Sequence, residues 1–501
     1  MSAFGVRRLG AAFSDESGGK PPHSKDRIPQ VYNPPMRKLL LVFLFVTNAF
    51  AAPFDDLFLD KTMRANYFHT WNRGQEIIAL GPIVSDGRWP GSRTRLIDTL
   101  NRGNYFFEVI DRETNQVIYS RGFASVFGEW VTTDEAKDHA GTFEESVRFP
   151  WPKKPVQLVI KKRDKDNAFQ QIFSTLIDPS SRFVNPADRP PAGRVWSVIE
   201  NGPPSEKVDI LVIGEGYTEA EVPKFHRDVQ RMVGKLFETE PFKSRKKDFN
   251  VRALDLIEPQ SGVHRPRTND NRRTVTGVQY NIFDSERYVL TLDDHRMRDV
   301  AASAPYDFLE ILVNEKQYGG GGIFNDQATA CVDSAFSEYV FVHEFGHHFA
   351  ALADEYYTSP VSYETTGGSE HPEPWEPNAT ANGAHPKWAC DPGVPLPTPW
   401  EKEEFEKHSR AIQAERARLR ATNAPESEMD KLFTEERAWE TKFLGSQKYA
   451  GKVGAFEGAE YEAHGLYRPE IDCIMFTRDE VGFCRVCRKA IEQIIDAYSR
   501  E

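Results

Sequence analysis

Phe341-Val342-His343-Glu344-Phe345-Gly346-His347-His348-Phe349-Ala350-Ala351-Leu352-Ala353-Asp354-Glu355-Tyr356-Tyr357 sets two histidines four residues apart, with a glutamate directly after the first. On a helix, residues four apart share a face, so His343 and His347 project their imidazoles to one side and can share a Zn²⁺. Glu344 lies beside them, placed to take a proton from a water that the metal activates. Zinc lowers the pKa of such a water to about 7, and a carboxylate can then pass the proton to a leaving amine. A core helix with merely packed histidines would instead bury two imidazoles and a carboxylate on an apolar face without partners, which is costly. Asp333 and Ser334 are both good N-caps, so the helix is expected to begin near them.

The third ligand needs a change of direction. Asp354 follows His347 by seven residues and so falls on the same helical face. Were the helix to continue, Asp354 would lie about 10 Å further along the axis, out of the metal's reach. Long-helix zinc peptidases of the metzincin type turn at a glycine three residues after the second histidine. Here that position is Ala350 and the third-ligand position falls on Ala353, so the metzincin pattern is not met and Asp354 comes one residue late. Asp354 is the favoured ligand; Glu355, His348 and a carboxylate further downstream are the alternatives.

Upstream, Lys207–Ile213 is a continuous apolar run ending at Gly214 and Gly216, as a buried central strand would be. Thr218 with Glu221 is a capping-box signature, opening a helix whose apolar positions Val222, Phe225, Val229, Met232, Val233 and Leu236 step by three and four. Phe249–Ile257 and Phe308–Asn314 add two strands. Tyr318-Gly319-Gly320-Gly321-Gly322 leads into an extended stretch to Val332; no Lys-Ser/Thr pair follows, so the glycines suit backbone exposed at a sheet edge or cleft rim better than a phosphate loop. Residues 401–443, dense in Glu, Lys and Arg, suit one or two solvated helices, an inserted hairpin broken at Asn423–Pro425 with no assigned chemistry.

Residues 52–195 are different in character. Asn104–Ile110, a turn at Asp111–Asn115 and Gln116–Tyr119 form a hairpin, and Phe143–Phe149 and Val156–Lys161 alternate as half-buried strands do. Neither a nucleophile nor a metal cluster stands out there, and the expectation is a β-sandwich accessory domain. Pro186, Pro190, Pro191, Pro203 and Pro204 form a linker zone, which puts the boundary near residue 200 and a second domain over 203–501.

The 501 residues carry 63 Lys+Arg against 75 Asp+Glu, a net charge of −12, which argues against nucleic acid or an anionic membrane as a main partner. Hydrophobic residues at 39 % and charged residues at 28 % exclude wholesale disorder. Met36-Arg37-Lys38, the apolar run Leu39–Val46 and Ala49-Phe50-Ala51 read as a cleavable signal peptide over 36–51. The run is too short to be a transmembrane segment, which needs roughly twenty residues. Residues 1–35 read as an upstream extension before an initiator at Met36, and the mature chain is expected to start near Ala52, secreted or periplasmic. Five cysteines, none before Cys331, are then expected in disulfides unless a metal claims them. Cys484-Arg485-Val486-Cys487 has the spacing of half a zinc knuckle or of a redox dithiol. With no second C-x-x-C to complete it, two separate disulfides at the start of a C-terminal helix are favoured.

His343-Glu344-Phe345-Gly346-His347 running into Leu352-Ala353-Asp354-Glu355-Tyr356-Tyr357 resembles the IgA-specific metallopeptidases, an exported, metzincin-like family. Tyr318–Gly322, Cys473-Ile474-Met475 and Phe483–Cys487 belong to the same resemblance, which spans 207–490 with the β-rich region as accessory domain. It implies an α+β chain: a metzincin-like mixed-sheet zinc peptidase domain preceded by a β-sandwich-like domain. It also implies that Met475 forms a methionine turn beneath the zinc. The strand after the glycines would border the cleft and pair with extended substrate. The family name records one member's substrate and does not establish this chain's.

The expected function is zinc-dependent hydrolysis of protein or peptide substrates, with His343, His347 and Asp354 as ligands, Glu344 as general base, and Tyr356 or Tyr357 at the oxyanion on adjacency alone. A zinc hydrolase of cell-wall peptides or other amides is the rival among enzymes. A non-catalytic surface or carbohydrate-binding protein with a structural zinc is the rival from another class. A structural site would be closed by four protein ligands, whereas Glu344 beside an open position favours catalysis.

Overall fold

Val208–Glu215 is buried at all eight positions and forms the centre of a six-stranded mixed sheet in the computed structural model, which describes residues 53–359 and 371–499. Its order is Gly320–Ile323, Gln327–Cys331, Phe308–Val313, Val208–Glu215, Phe249–Asp255 and Arg194–Ile199. The four inner strands run parallel and each edge strand is antiparallel to its neighbour. A parallel strand must be covered on both faces, which explains the unbroken apolar run. Alternate residues go to opposite sides. Val208, Ile210 and Val212 meet Phe225, Val229 and Phe349, while Leu211 and Ile213 meet Met297, Val300 and Tyr306.

The capping box, in which the Thr218 N–H donates to Glu221 Oε2 at 2.9 Å, opens a single 3-10 turn, Glu219–Glu221, that runs directly into the helix after the central strand, Val222–Leu236. Phe225, Val229, Met232, Val233 and Leu236 are buried as the periodicity requires, with Val222 half-buried. This helix, Ser337–Ala350 and Arg485–Tyr498 cover one face of the sheet, and Asp294–Ala301 packs on the other.

The N-terminal region holds two four-stranded sheets around one apolar core, in which Phe107 of one sheet meets Phe149 of the other with ring centroids 6.3 Å apart. The expected hairpin pairs Tyr105–Asp111 with Val117–Phe123. The described residues from 53 onward belong to one compact unit. Arg102 is one tie within it: its guanidinium reaches across to donate to Ala350 O at 3.1 Å and Ala490 O at 3.0 Å.

Helices Lys402–Ala421 and Glu426–Gly445 form the charged hairpin, with the break where Asn423–Pro425 puts it. They are not solvated all round: Phe405, Leu419, Met429, Phe433 and Leu444 are buried against the main core. The charge density of the outer face hides this inner stripe. Among the described residues no helix is long and apolar enough to cross a membrane. The expected signal segment at 36–51 and the extension at 1–35 lie outside the described residues.

Candidate metal centre

The two-histidine helix spans Ser337–Ala350. Its N-cap is Phe336, beyond both expected caps, Asp333 and Ser334. The Asp333 carboxylate is taken by Lys224 Nζ at 3.0 Å, and Ser334 sits in a preceding turn closed by its carbonyl. One side of the helix sinks Phe341, Phe345 and Phe349 into the core, and His343, Glu344 and His347 line a cleft of about 410 Å³. The glycine run lies against this helix. A Cβ on Gly322 would stand 2.3 Å from Glu344 O, and one on Gly320 would stand 2.6 Å from Val340 Cγ1. The glycines are therefore at the sheet edge and cleft rim as expected, but Gly320, packed on the helix, and Gly321, packed on Tyr288 and Leu290, are buried rather than exposed. The edge strand is Gly320–Ile323 itself, and the strand after it, Gln327–Cys331, is interior, so the edge that the resemblance assigned to the later strand belongs to the glycines.

The chain turns where Asp354 requires it to. Ala351 takes a left-handed conformation at φ 57°, a position that usually favours glycine, and ends the helix. The return brings Asp354 Oδ1 to 3.0 Å from His343 Nε2 and 3.2 Å from His347 Nε2, and the two Nε2 atoms lie 3.1 Å apart. Each histidine is oriented from behind: Nδ1–H of His343 donates to Ile474 O at 2.9 Å and that of His347 to Leu352 O at 2.6 Å. Those carbonyls place the protons on Nδ1 and leave both Nε2 lone pairs facing the carboxylate oxygen. Asp354 Oδ1 is buried and makes no hydrogen bond beyond its contacts with the two imidazoles.

Three lone pairs converging at such distances repel one another unless a cation sits among them. In a tetrahedral site with bonds of about 2.0–2.1 Å, neighbouring ligand atoms are roughly 3.3 Å apart. The donor set thus fits a zinc-sized cation. With protons alone, burial opposes charge on His347 but Asp354 outweighs it and lifts the imidazole to about 9. Burial alone would raise Asp354; the two imidazoles hold it well below the usual carboxylate range.

Glu344 is half-buried at the cleft, its carboxylate within 4.8 Å of the histidine nitrogens. Burial raises its pKa, while His343 and His347 oppose the rise. The alternative ligands His348 and Glu355 go elsewhere. His348 donates from Nδ1 to Ile323 O at 2.8 Å and accepts the Leu309 N–H at 3.2 Å, a packed core histidine. Glu355 points behind the site, toward Cys487. Tyr356 faces the cleft, its hydroxyl accepting from Arg287 at 3.2 Å, while Tyr357 stacks with Phe476 at 6.3 Å. Met475 is fully buried beneath the helix; a Cβ on Gly346 would lie 3.1 Å from its sulfur.

Several site residues carried no legible signal. Tyr461 donates its hydroxyl to Asp354 Oδ2 from a hairpin turn in which Glu460 and Tyr461 adopt φ 48° and 64°. No Asn-Gly marks that turn. Tyr339, one turn before His343, places its hydroxyl 3.2 Å from the same Nδ1. Glu129, from the N-terminal region, lines the cleft and accepts from Tyr288 at 2.5 Å; burial pushes it to about 7. The charged hairpin also lines the cleft, through Phe405, Ser409 and Gln413.

No curated protein matches the chain. Residues 53–174 match the family profile described as Peptidase M64 N-terminus. Residues 197–495, more than half of the chain, match the profile IgA Peptidase M64, so the chain belongs to this metallopeptidase family.

Proposed function

We propose that the protein is an exported, zinc-dependent endopeptidase in which His343, His347 and Asp354 hold the metal and Glu344 is the general base. The observation that carries it is the convergence of two Nε2 atoms and a buried carboxylate oxygen at 3.0–3.2 Å, on the wall of an open cleft with Glu344 beside them. Zinc, when bound, supplies the Lewis acidity that makes water a nucleophile near neutral pH.

This chain's residues supply the rest. Glu344 takes the proton of the attacking water and returns it to the leaving amine; its raised pKa suits a group that must both accept and give up a proton. Tyr461 fixes the free oxygen of Asp354, and Ile474 O and Leu352 O hold the imidazoles in one tautomer. Tyr356, backed by Arg287, donates to the developing oxyanion. Met475, tied through its carbonyl to the Glu355 N–H at 2.8 Å, forms a methionine turn under the site. That turn and the mixed sheet support a metzincin-like domain, and the two N-terminal sheets around one core support a β-sandwich-like partner. Export rests on the signal-like segment at 36–51 alone.

The test is cleavage of an unfolded protein mixture by the full chain, with and without chelator. Cleavage that stops on chelation and returns with zinc is the expected result; cleavage indifferent to chelation would remove the metal from the mechanism.

A further inference from the structure

Behind the cleft, on the opposite side of the Asp354–Glu355 peptide, three thiols and a carboxylate converge. Glu355, Cys473, Cys484 and Cys487 place one donor atom each within 4.8 Å of all the others, and all four residues are buried. Their elements are unrelated in sequence: the return after the site helix, the Met475 turn, and the N-cap and first turn of Arg485–Tyr498. None of the five cysteines is in a disulfide. This corrects the expectation that Cys484 and Cys487 enter separate bridges. The missing partner of the C-x-x-C pair is not a second such pair but Cys473 together with Glu355.

From this geometry we infer that Glu355, Cys473, Cys484 and Cys487 form a second, closed, structural zinc site. Cys473 Sγ and Cys487 Sγ are 3.9 Å apart, and Glu355 Oε1 lies 3.4 Å from Cys487 Sγ. Tetrahedral zinc with Zn–S of about 2.3 Å and Zn–O of about 2.0–2.2 Å separates sulfurs by roughly 3.8 Å and sulfur from oxygen by roughly 3.6 Å. A disulfide needs sulfurs about 2.05 Å apart, far from what is seen. The second oxygen, Glu355 Oε2, is fully buried and accepts no hydrogen bond, although Asn378 donates to Oε1 at 2.9 Å. A buried carboxyl oxygen without a donor is expensive unless a cation pairs with it.

Backbone donors point at two of the sulfurs, as metal-bound thiolates require. The Cys484 N–H points to Cys473 Sγ at 3.2 Å and the Cys487 N–H to Cys484 Sγ at 3.4 Å. The N-terminus of the fourteen-residue helix Arg485–Tyr498 adds partial positive charge at the sulfurs. Three soft sulfur donors and one hard oxygen, with no open position, select a structural zinc rather than a hydrated Mg²⁺ or Ca²⁺. Such an ion would rivet Glu355 to the Met475 turn, and with it hold Asp354 at the open site.

The experiment is zinc content and zinc-edge X-ray absorption on the full chain and on His343→Ala/His347→Ala. Two zinc per wild-type chain, and one in the histidine variant with sulfur neighbours at about 2.3 Å, is the expected result. Zinc in the wild type with only nitrogen and oxygen neighbours would overturn this inference while leaving the peptidase site standing. One sulfur-bound zinc in both proteins would do the reverse. Thiols counted in denaturant with chelator and no reductant give a check that needs no variant: five are expected per chain, and a loss of two would assign a disulfide and overturn the zinc. Cys473→Ser/Cys487→Ser should lose the sulfur-bound equivalent, and retention of it would also overturn the site.

Discussion

Asp354 and Glu355 are neighbours in sequence, yet they serve opposite sides of one strap of chain. Asp354 meets two imidazoles at the wall of a cleft, where Glu344 and space for substrate stand beside it. Glu355 meets three sulfurs in a fully enclosed cluster. The first arrangement leaves room for a reacting molecule and the second leaves none, which is the distinction between a site that does chemistry and one that holds a fold. Both depend on the same turn at Ala351 and on the same Cys473–Met475 segment, which offers Ile474 O to His343 on one side and Cys473 Sγ on the other.

Separating the two sites experimentally gives the largest effect. Asp354→Ala should remove only the open-site metal, leave the sulfur-bound one, and lower hydrolysis by on the order of 10⁴-fold or more, since the Lewis acid and the use of Glu344 are lost together. Zinc content and kcat/KM on the same sample decide it. Unchanged zinc at the histidines would shift the third ligand elsewhere.

Tyr461→Phe is milder. It removes the donor that orients Asp354 Oδ2, and affinity for the open-site metal should weaken by about 10–100-fold, as measured by competition with a chelator. The sulfur-bound metal should be untouched, and loss of both ions together would mean that the two sites are one cooperative unit. Gly322→Ala is the smallest. Its Cβ would press on Glu344 O at 2.3 Å and His347 Cβ at 3.0 Å, and a cost of about 1–3 kcal/mol is expected in denaturant unfolding. Activity should fall with it because the helix that shifts carries the open site. No change in either would mean that strand and helix do not pack this closely.

The open site was legible because its signal is local. His343, Glu344 and His347 share a face by helical spacing, and the seven-residue gap means that Asp354 can join them only if the chain turns after His347, although the spacing does not say where. The central strand and its capping box are equally local. What stayed hidden depends on chain segments far apart. Cys473 and Glu355 are separated by 118 residues, so the C-x-x-C pair looked incomplete and disulfides looked preferable. Tyr461 reaches Asp354 from a turn without glycine or asparagine, and Glu129 enters the cleft from a region with no chemical signature of its own. In the charged hairpin the apolar stripe was too sparse, against its outer charge, to mark a face packed on the cleft.

The most direct measurement is zinc content together with peptide-bond cleavage for the full chain and Glu344→Gln, each from one preparation. The substitution keeps shape and removes the base, so zinc should be unchanged while cleavage falls by about 10²–10⁴-fold. Full cleavage by Glu344→Gln, with its zinc in place, would contradict the account.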